Sequence, residues 1–173
     1  MSKLLCHFLI GIPGAGKTTF AHQLLARIPQ SVHISPDLIR EQLYDDPVIQ
    51  GDWSAIEHKV QQLFQDAIGR EWSVIYDATN AERKWRTSFL RDNTPPPVQW
   101  LGWVFQTPVT DCIARNQNRE RTVPMDVIID YAQLLNQFPP TLSEGFCHIL
   151  DVPLDDQGAV DIEKVLRLIE QHQ

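Results

Sequence analysis

No stretch of this chain is long and apolar enough to cross a bilayer. Runs such as Leu4 to Ile10 fall far short of the roughly 20 residues a transmembrane helix needs, so no membrane partner is expected. Cysteine is scarce. Cys6, Cys112 and Cys147 are odd in number, scattered and free of C-x-x-C spacing, which excludes a disulfide framework or zinc cluster and suits reduced, buried thiols. The six histidines form no H-x-x-x-H pair, so no transition-metal site is expected. Repeats and low-complexity tracts are missing. Positive charge is also in short supply: 15 Lys+Arg against 22 Asp+Glu give a formal charge of −7. Tight general binding to DNA or RNA, whose affinity rests on many phosphate contacts, is therefore not expected.

What is present is enough for one folded domain over residues 1–173, with 43% apolar content and five tryptophans. The charge is unevenly spread. Residues 1–82 carry 6 Lys+Arg against 10 Asp+Glu, residues 83–121 carry 7 against 3, and residues 122–173 carry 2 against 9. A basic rim in the middle segment suits a few phosphates, although any single one of these cations also suits a solvated helix face.

Strand-length apolar runs alternate with segments of helical period, the pattern of a parallel sheet covered on both faces. Strands are expected at 4–10, 32–35, 73–77, 98–105 and 146–150. Helices are expected at 18–28, 36–44, 52–70, 83–91, 108–118, 124–137 and 161–171. Ile56, Val60, Leu63, Phe64, Ala67 and Ile68 make one core-facing stripe on the third helix. Ser35 is placed to cap a helix opened by Pro36, while Pro95-Pro96-Pro97 and Pro139-Pro140 read as rigid connectors. The expected fold is α/β, three layers (α/β/α), with a mainly parallel five-stranded sheet and a helical lid near residues 115–123.

Between the first strand and first helix stands Gly11-Ile12-Pro13-Gly14-Ala15-Gly16-Lys17-Thr18, a G-x-x-x-x-G-K-[ST] phosphate-binding loop in the context it requires. Its glycines let backbone amides point at phosphate oxygens, Lys17 adds a charge for the β and γ phosphates, and the Thr18 hydroxyl suits Mg²⁺. With Thr19 these residues are the expected ATP seat. A cleavable leader would remove this motif, so a cytoplasmic location is expected.

Ligands of open parallel sheets collect beyond the strands' carboxyl ends, which directs attention to three further segments. Asp37 and Arg40 follow the second strand, one helical turn apart. Asp37 suits a general base on an acceptor hydroxyl; it equally suits a carboxylate favoured by the helix dipole, and position alone does not choose. Arg40 suits a phosphate or the orientation of Asp37, or an ordinary surface pair. Asp77, Ala78, Thr79 and Asn80 follow the third strand: Asp77 is a candidate Mg²⁺ ligand or a turn cap, and Thr79 and Asn80 are candidate acceptor contacts. After the fourth strand, Arg115 and Arg119 share one helical face and suit a triphosphate, with Arg121 beyond them.

Together these segments resemble the polynucleotide 5′-kinase branch of the P-loop kinases, within the AAA-type ATP-binding kinases. The resemblance runs in order through Ser35-Pro36-Asp37-x-x-Arg40, Asp77-Ala78-Thr79-Asn80, Arg115-x-x-x-Arg119, Val123-Pro124, Phe138-Pro139-Pro140 and Glu144-Gly145-Phe146. It implies that Asp37 acts on the acceptor hydroxyl, that Arg40 contacts the acceptor, that Lys17 and Thr18 serve ATP·Mg²⁺, and that a lid arginine, Arg119, meets the γ-phosphate. Nothing resembles an attached phosphatase or ligase domain. The implied function is ATP-dependent phosphorylation of a hydroxyl, with a 5′-hydroxyl oligonucleotide or nucleotide-like acceptor. Two alternatives stay open: a kinase of a small hydroxylated metabolite, and an ATP-dependent binding or regulatory module using the aromatic run Trp100 to Phe105.

Overall fold

A computed structural model describes residues 3–44, 51–119 and 122–172. Five strands, β1 (Leu4–Ile10), β2 (Ser31–Ile34), β3 (Ser73–Asp77), β4 (Val98–Val104) and β5 (His148–Asp151), form one sheet in the order β2-β3-β1-β4-β5. Every pairing is parallel, so the expected mainly parallel sheet is entirely so among the described strands. β1 lies at the centre and is buried on both faces, which explains why its sequence is nearly continuously apolar rather than alternating.

The helices are α1 (Lys17–Arg27), α2 (Pro36–Tyr44), α3 (Trp53–Gly69), α4 (Arg83–Asp92), α5 (Val109–Gln117), α6 (Met125–Gln137) and α7 (Ile162–Gln171). One sheet face packs on α3 and α4 through Ile56, Val60, Phe64, Ala67 and Leu90, meeting Phe8, Tyr76 and Trp100. The opposite face packs on α1 and α7 through Phe20, Leu24, Val165 and Ile169, meeting Leu9, Ile75 and Trp103. A third cluster joins α5 and α6 to the loop after β1 through Ile12, Ala15, Cys112 and Ile128.

Local chemistry explains where several helices begin. Ser54 N donates to Asp52 Oδ1 at 3.0 Å, Lys164 N to Asp161 Oδ1 at 3.0 Å, and Leu38 N to Ser35 Oγ at 3.5 Å. The fifth strand is a correction: it starts at His148 rather than Phe146. A short 3₁₀ turn, Leu142–Glu144, ends at Gly145 in the left-handed region (φ 118°), and this turns the buried Phe146 ring onto Phe8, 5.3 Å between centroids, instead of into the strand ladder.

Register is what positions the site. Leu9 sits opposite Asp77, and Ile34 opposite Tyr76. The loop after β1, the start of α2 and the end of β3 therefore emerge side by side on the carboxyl edge.

Candidate active site

Gly14 and Gly16 take φ of 86° and 100°, conformations that L side chains rarely adopt, and they curl the loop around the start of α1. Gly16 is the N-cap of α1 and no side chain caps that helix, so the first-turn amides of Lys17, Thr18 and Thr19 suit an anion. The loop rests on α5. A Cβ on Gly14 would stand 2.3 Å from the Cys112 carbonyl oxygen, and Thr107 Oγ1 donates to the Ala15 carbonyl at 3.0 Å. Pro13 is half-buried at the bend. Gly11 N donates to the Thr79 carbonyl at 3.1 Å, and a Cβ there would meet Phe105 Cβ at 2.9 Å.

Lys17 is buried, and its Nζ donates to the Ile12 carbonyl at 3.0 Å. Desolvation pulls its pKa down to about 8; the Asp77 carboxylate opposes that shift, the Arg119 guanidinium adds to it, and the Asp37 carboxylate opposes it. The charges acting on this one ammonium come from three separate segments of the chain.

Asp77 is held from two sides. Thr18 Oγ1 donates to its Oδ2 at 2.9 Å, and His33 Nε2 lies 3.0 Å from the same oxygen. Burial pushes the carboxyl up, but the His33 hydrogen bond, the Lys17 charge and the Thr18 hydroxyl together hold it below the usual carboxylate range. Its partners are side chains on α1 and β2, not the amides of a following turn. An alcohol and a carboxylate oxygen joined beside a phosphate cradle are the hard donors Mg²⁺ takes, with phosphates and water completing the shell. The described residues contain no group of three or more His, Cys, Asp or Glu able to hold a metal.

Asp37 lies in the first turn of α2 and is 70% exposed at its side chain, paired with Arg40 at 2.5 Å. Arg40 is only 14% exposed at its side chain, and its Nε is buried with no partner among the described residues. The Asp37 field also reaches the buried Tyr76 phenol, whose pKa is raised by burial, then by Glu57, Asp77 and Asp37. By its place in the first turn of α2, directly after β2, this carboxylate stands at the carboxyl edge of the sheet.

The other candidates divide. Arg115 overhangs the loop, its Nη1 3.8 Å from where a Gly16 Cβ would stand, while Arg119 follows the end of α5 and is exposed. Arg121 lies outside the described residues. Asn80, at φ 53°, spends its amide donors on the Leu9 carbonyl (2.7 Å) and the Ala78 carbonyl (3.3 Å), latching the β3 loop to β1. Thr79 is half-buried beside it. Trp100 and Trp103 are fully buried, so the aromatic run of β4 presents no binding face.

Two contributors went unrecognised in the sequence. His33 is one; its only signal is a polar ring inside the short strand SVHI. Arg86 is the other: wholly buried, it donates from Nε and Nη2 to both Glu144 oxygens (2.7 and 2.9 Å), from Nη1 to the Asn80 and Ala81 carbonyls (3.1 and 2.9 Å), and from Nη2 to the Phe138 carbonyl (2.9 Å). It therefore pins the β3 loop to the end of α6. A shallow concavity of about 550 Å³ beside Lys3, His7 and Ser73 lies at the opposite, amino edge of the sheet and contains none of these residues.

A family model described as AAA domain matches residues 6–138. Among solved structures, a proposed kinase from Chloroflexus aurantiacus superposes with a TM-score of 0.69 at 17% identity, covering 100% of both chains. A chain of the Pnkp1/Rnl/Hen1 RNA repair complex gives 0.67 at 20% identity, covering 79% of this chain and 46% of that one. Shikimate kinase from Acinetobacter baumannii gives 0.62 at 17% identity, covering 99% and 96%. This chain thus spans under half the length of the RNA-repair chain it matches. Identities this low carry the fold, and the acceptors named differ among the neighbours. No helix of the described residues is long and apolar enough to cross a membrane.

Proposed function

Because the chain belongs to the AAA domain family and has the P-loop kinase fold, we propose that it moves the γ-phosphate of ATP to an acceptor hydroxyl, that of a 5′-hydroxyl oligonucleotide or nucleotide-like molecule. The observation that carries this reading is the Thr18–Asp77 hydrogen bond beside the phosphate-type loop, with the start of α2, which bears Asp37, on the same sheet edge, since phosphoryl transfer asks for a phosphate seat, a cation site and a base close together. The nucleotide-like acceptor rests on the ordered run of polynucleotide-kinase segments in the sequence.

The amides from Gly14 to Thr19 seat the β and γ phosphates, and Lys17 Nζ leaves the Ile12 carbonyl for their oxygens. Thr18 and Asp77, already hydrogen-bonded to one another, would hold Mg²⁺. Mg²⁺, when bound, neutralises charge across the β and γ oxygens. Asp37 accepts the proton of the acceptor hydroxyl as its oxygen bonds to the γ-phosphorus and the bond to the β–γ bridging oxygen breaks, releasing ADP. Arg40 holds Asp37 against the acceptor, and Arg115 and Arg119 meet the charge on the transferring group. Thr79 and the carbonyl side of Asn80 border the acceptor.

The test is transfer from γ-labelled ATP to a mixed panel of 5′-hydroxyl oligonucleotides, nucleosides and small alcohols, with Asp37→Asn alongside. Labelled oligonucleotide lost in Asp37→Asn supports the reading. Label confined to a small alcohol replaces it with a metabolite kinase. Undiminished transfer by Asp37→Asn removes the base, and nucleotide-dependent partner capture without any transfer leaves a regulatory module.

A further inference from the structure

Three of the five tryptophans are core or near-core: Trp100 and Trp103 are fully buried and Trp72 is half-buried. The other two behave differently. Trp53, at the start of α3, is 43% exposed, and Trp85, in the first turn of α4, is 49% exposed; their rings meet edge to face at 6.3 Å and 65°. Each continues an internal stripe upward past the point where the core ends. Trp53 stands one turn before Ile56 and Glu57, and Trp85 one turn before Phe89, which stacks on Tyr76 at 4.1 Å.

Their location follows from the fold. α4 begins just after the carboxyl end of β3, and α3 precedes β3 and runs down to its start, so both helix N-termini stand on the edge that carries the phosphate loop. Tyr76 lies beneath the seam between them, and it registers both Glu57 of α3 and Asp37 of α2. The tryptophan pair is thus the roof of a seam whose floor already feels the proposed base. Two exposed cations flank it, each with a long carboxylate contact: Arg83 Nε lies 3.6 Å from Glu144 Oε1, and Lys84 Nζ lies 3.6 Å from Glu82 Oε2 and 5.1 Å from the Trp85 ring centroid.

Resting on the kinase reading above, we propose that Trp53 and Trp85 form a stacking subsite for the 5′-terminal nucleobase of the acceptor, with Arg83 and Lys84 meeting its following phosphates. Two rings set edge to face leave an L-shaped recess: a flat base lies on one ring and abuts the edge of the other. Stacking of this kind tolerates any base, because every base has a π-face. It also reconciles the chain's acidic balance with a nucleic-acid acceptor, since stacking draws affinity from one nucleotide and not from many phosphates.

Two short 5′-hydroxyl single strands serve as probes, identical except that one carries an abasic sugar at its 5′ end. Binding is read by anisotropy of a 3′ fluorophore, independently of transfer, and transfer is read with labelled ATP. The intact chain is expected to bind the base-bearing strand about 10-fold more tightly than the abasic one. In Trp53→Ala/Trp85→Ala the difference collapses to under about 2-fold, while ATP binding is unchanged and Trp85→Phe keeps most of the preference. Trp85→Ala alone, at an exposed ring, is the variant to use if the double change unfolds the chain, and it is expected to lose most of the preference. Equal binding of both strands by the intact chain overturns the proposal, as does a preference that survives in the variants. If both strands are phosphorylated equally, the subsite falls and the kinase stands; a base-dependent, tryptophan-dependent affinity without transfer leaves the subsite standing and removes the kinase.

Discussion

The two sides of the cleft are built on opposite principles. On the phosphate side, Lys17, Asp77 and His33 are buried or nearly so and bonded to one another or to backbone. On the other side, Asp37 and the arginines Arg115 and Arg119 stand in solvent, while Arg40 is largely covered. The phosphate seat is thus preorganised before any ligand arrives, and its buried charges bear a desolvation cost that a triphosphate offsets. The exposed side has little such cost, and the Asp37–Arg40 pair at its solvent-facing end adds little to stability. On the proposed reading, the donor would meet side chains already fixed in place, whereas Asp37 and the lid arginines would act from positions that water screens until something covers them.

The largest expected effect tests that division directly. Lys17→Met should cost roughly 10³-fold in transfer and weaken ATP binding as well, whereas Asp37→Asn should lower kcat by roughly 10²- to 10⁴-fold with ATP affinity unchanged. Equilibrium binding of a fluorescent ATP analogue, beside turnover, separates the two; loss of ATP binding in Asp37→Asn would merge the sides into one. Next comes Arg86, which pins the β3 loop to the end of α6. Arg86→Leu strands the buried Glu144 carboxylate and should destabilise the fold by about 3–5 kcal/mol, while Arg86→Leu/Glu144→Leu should recover much of that in thermal unfolding.

Acidity sharpens the comparison on the phosphate side. Lys17 titrates near 8 when folded against an ordinary 10.5, so between those values the unfolded chain holds the proton and the folded chain does not. Raising pH through that window therefore removes a penalty and stabilises the ligand-free fold. A bound triphosphate requires the proton back, so ATP affinity should fall about tenfold per unit above about pH 8, read by titration calorimetry in buffers of differing ionisation heat. A flat profile would mean that the lysine stays charged in its pocket.

The smallest expected effect concerns His33. His33→Leu should weaken Mg²⁺-dependent ATP binding by about 10-fold by releasing Asp77, and His33→Gln, whose amide reaches the same oxygen, should restore most of it. Failure of glutamine to rescue would reduce His33 to a packing residue.

What was legible in the sequence was whatever is decided locally. β3 and α2 are found where they were expected, residue for residue, because a run of β-branched and aromatic residues, a Ser-Pro start and a charged terminus act over a few positions. The phosphate loop was legible because its glycines and lysine are fixed in spacing. His33 and Arg86 were not, because their partners lie 44 and 58 residues away and only the parallel register and helix packing bring them together. Phe146 misled for a related reason: its apolar character fits a strand, and only the turn at Gly145 sends it into the core. Asn80, polar beside a cleft, looked like a ligand contact, yet its donors serve the scaffold.

The contact between Gly14 and the Cys112 carbonyl has a mechanical consequence. With no room for even a methyl group between them, the phosphate-type loop and the helix bearing Arg115 meet backbone to backbone. Bulk added at position 14 would have to part the loop from α5, so Gly14→Ala is expected to weaken ATP binding by displacing the helix that carries Arg115.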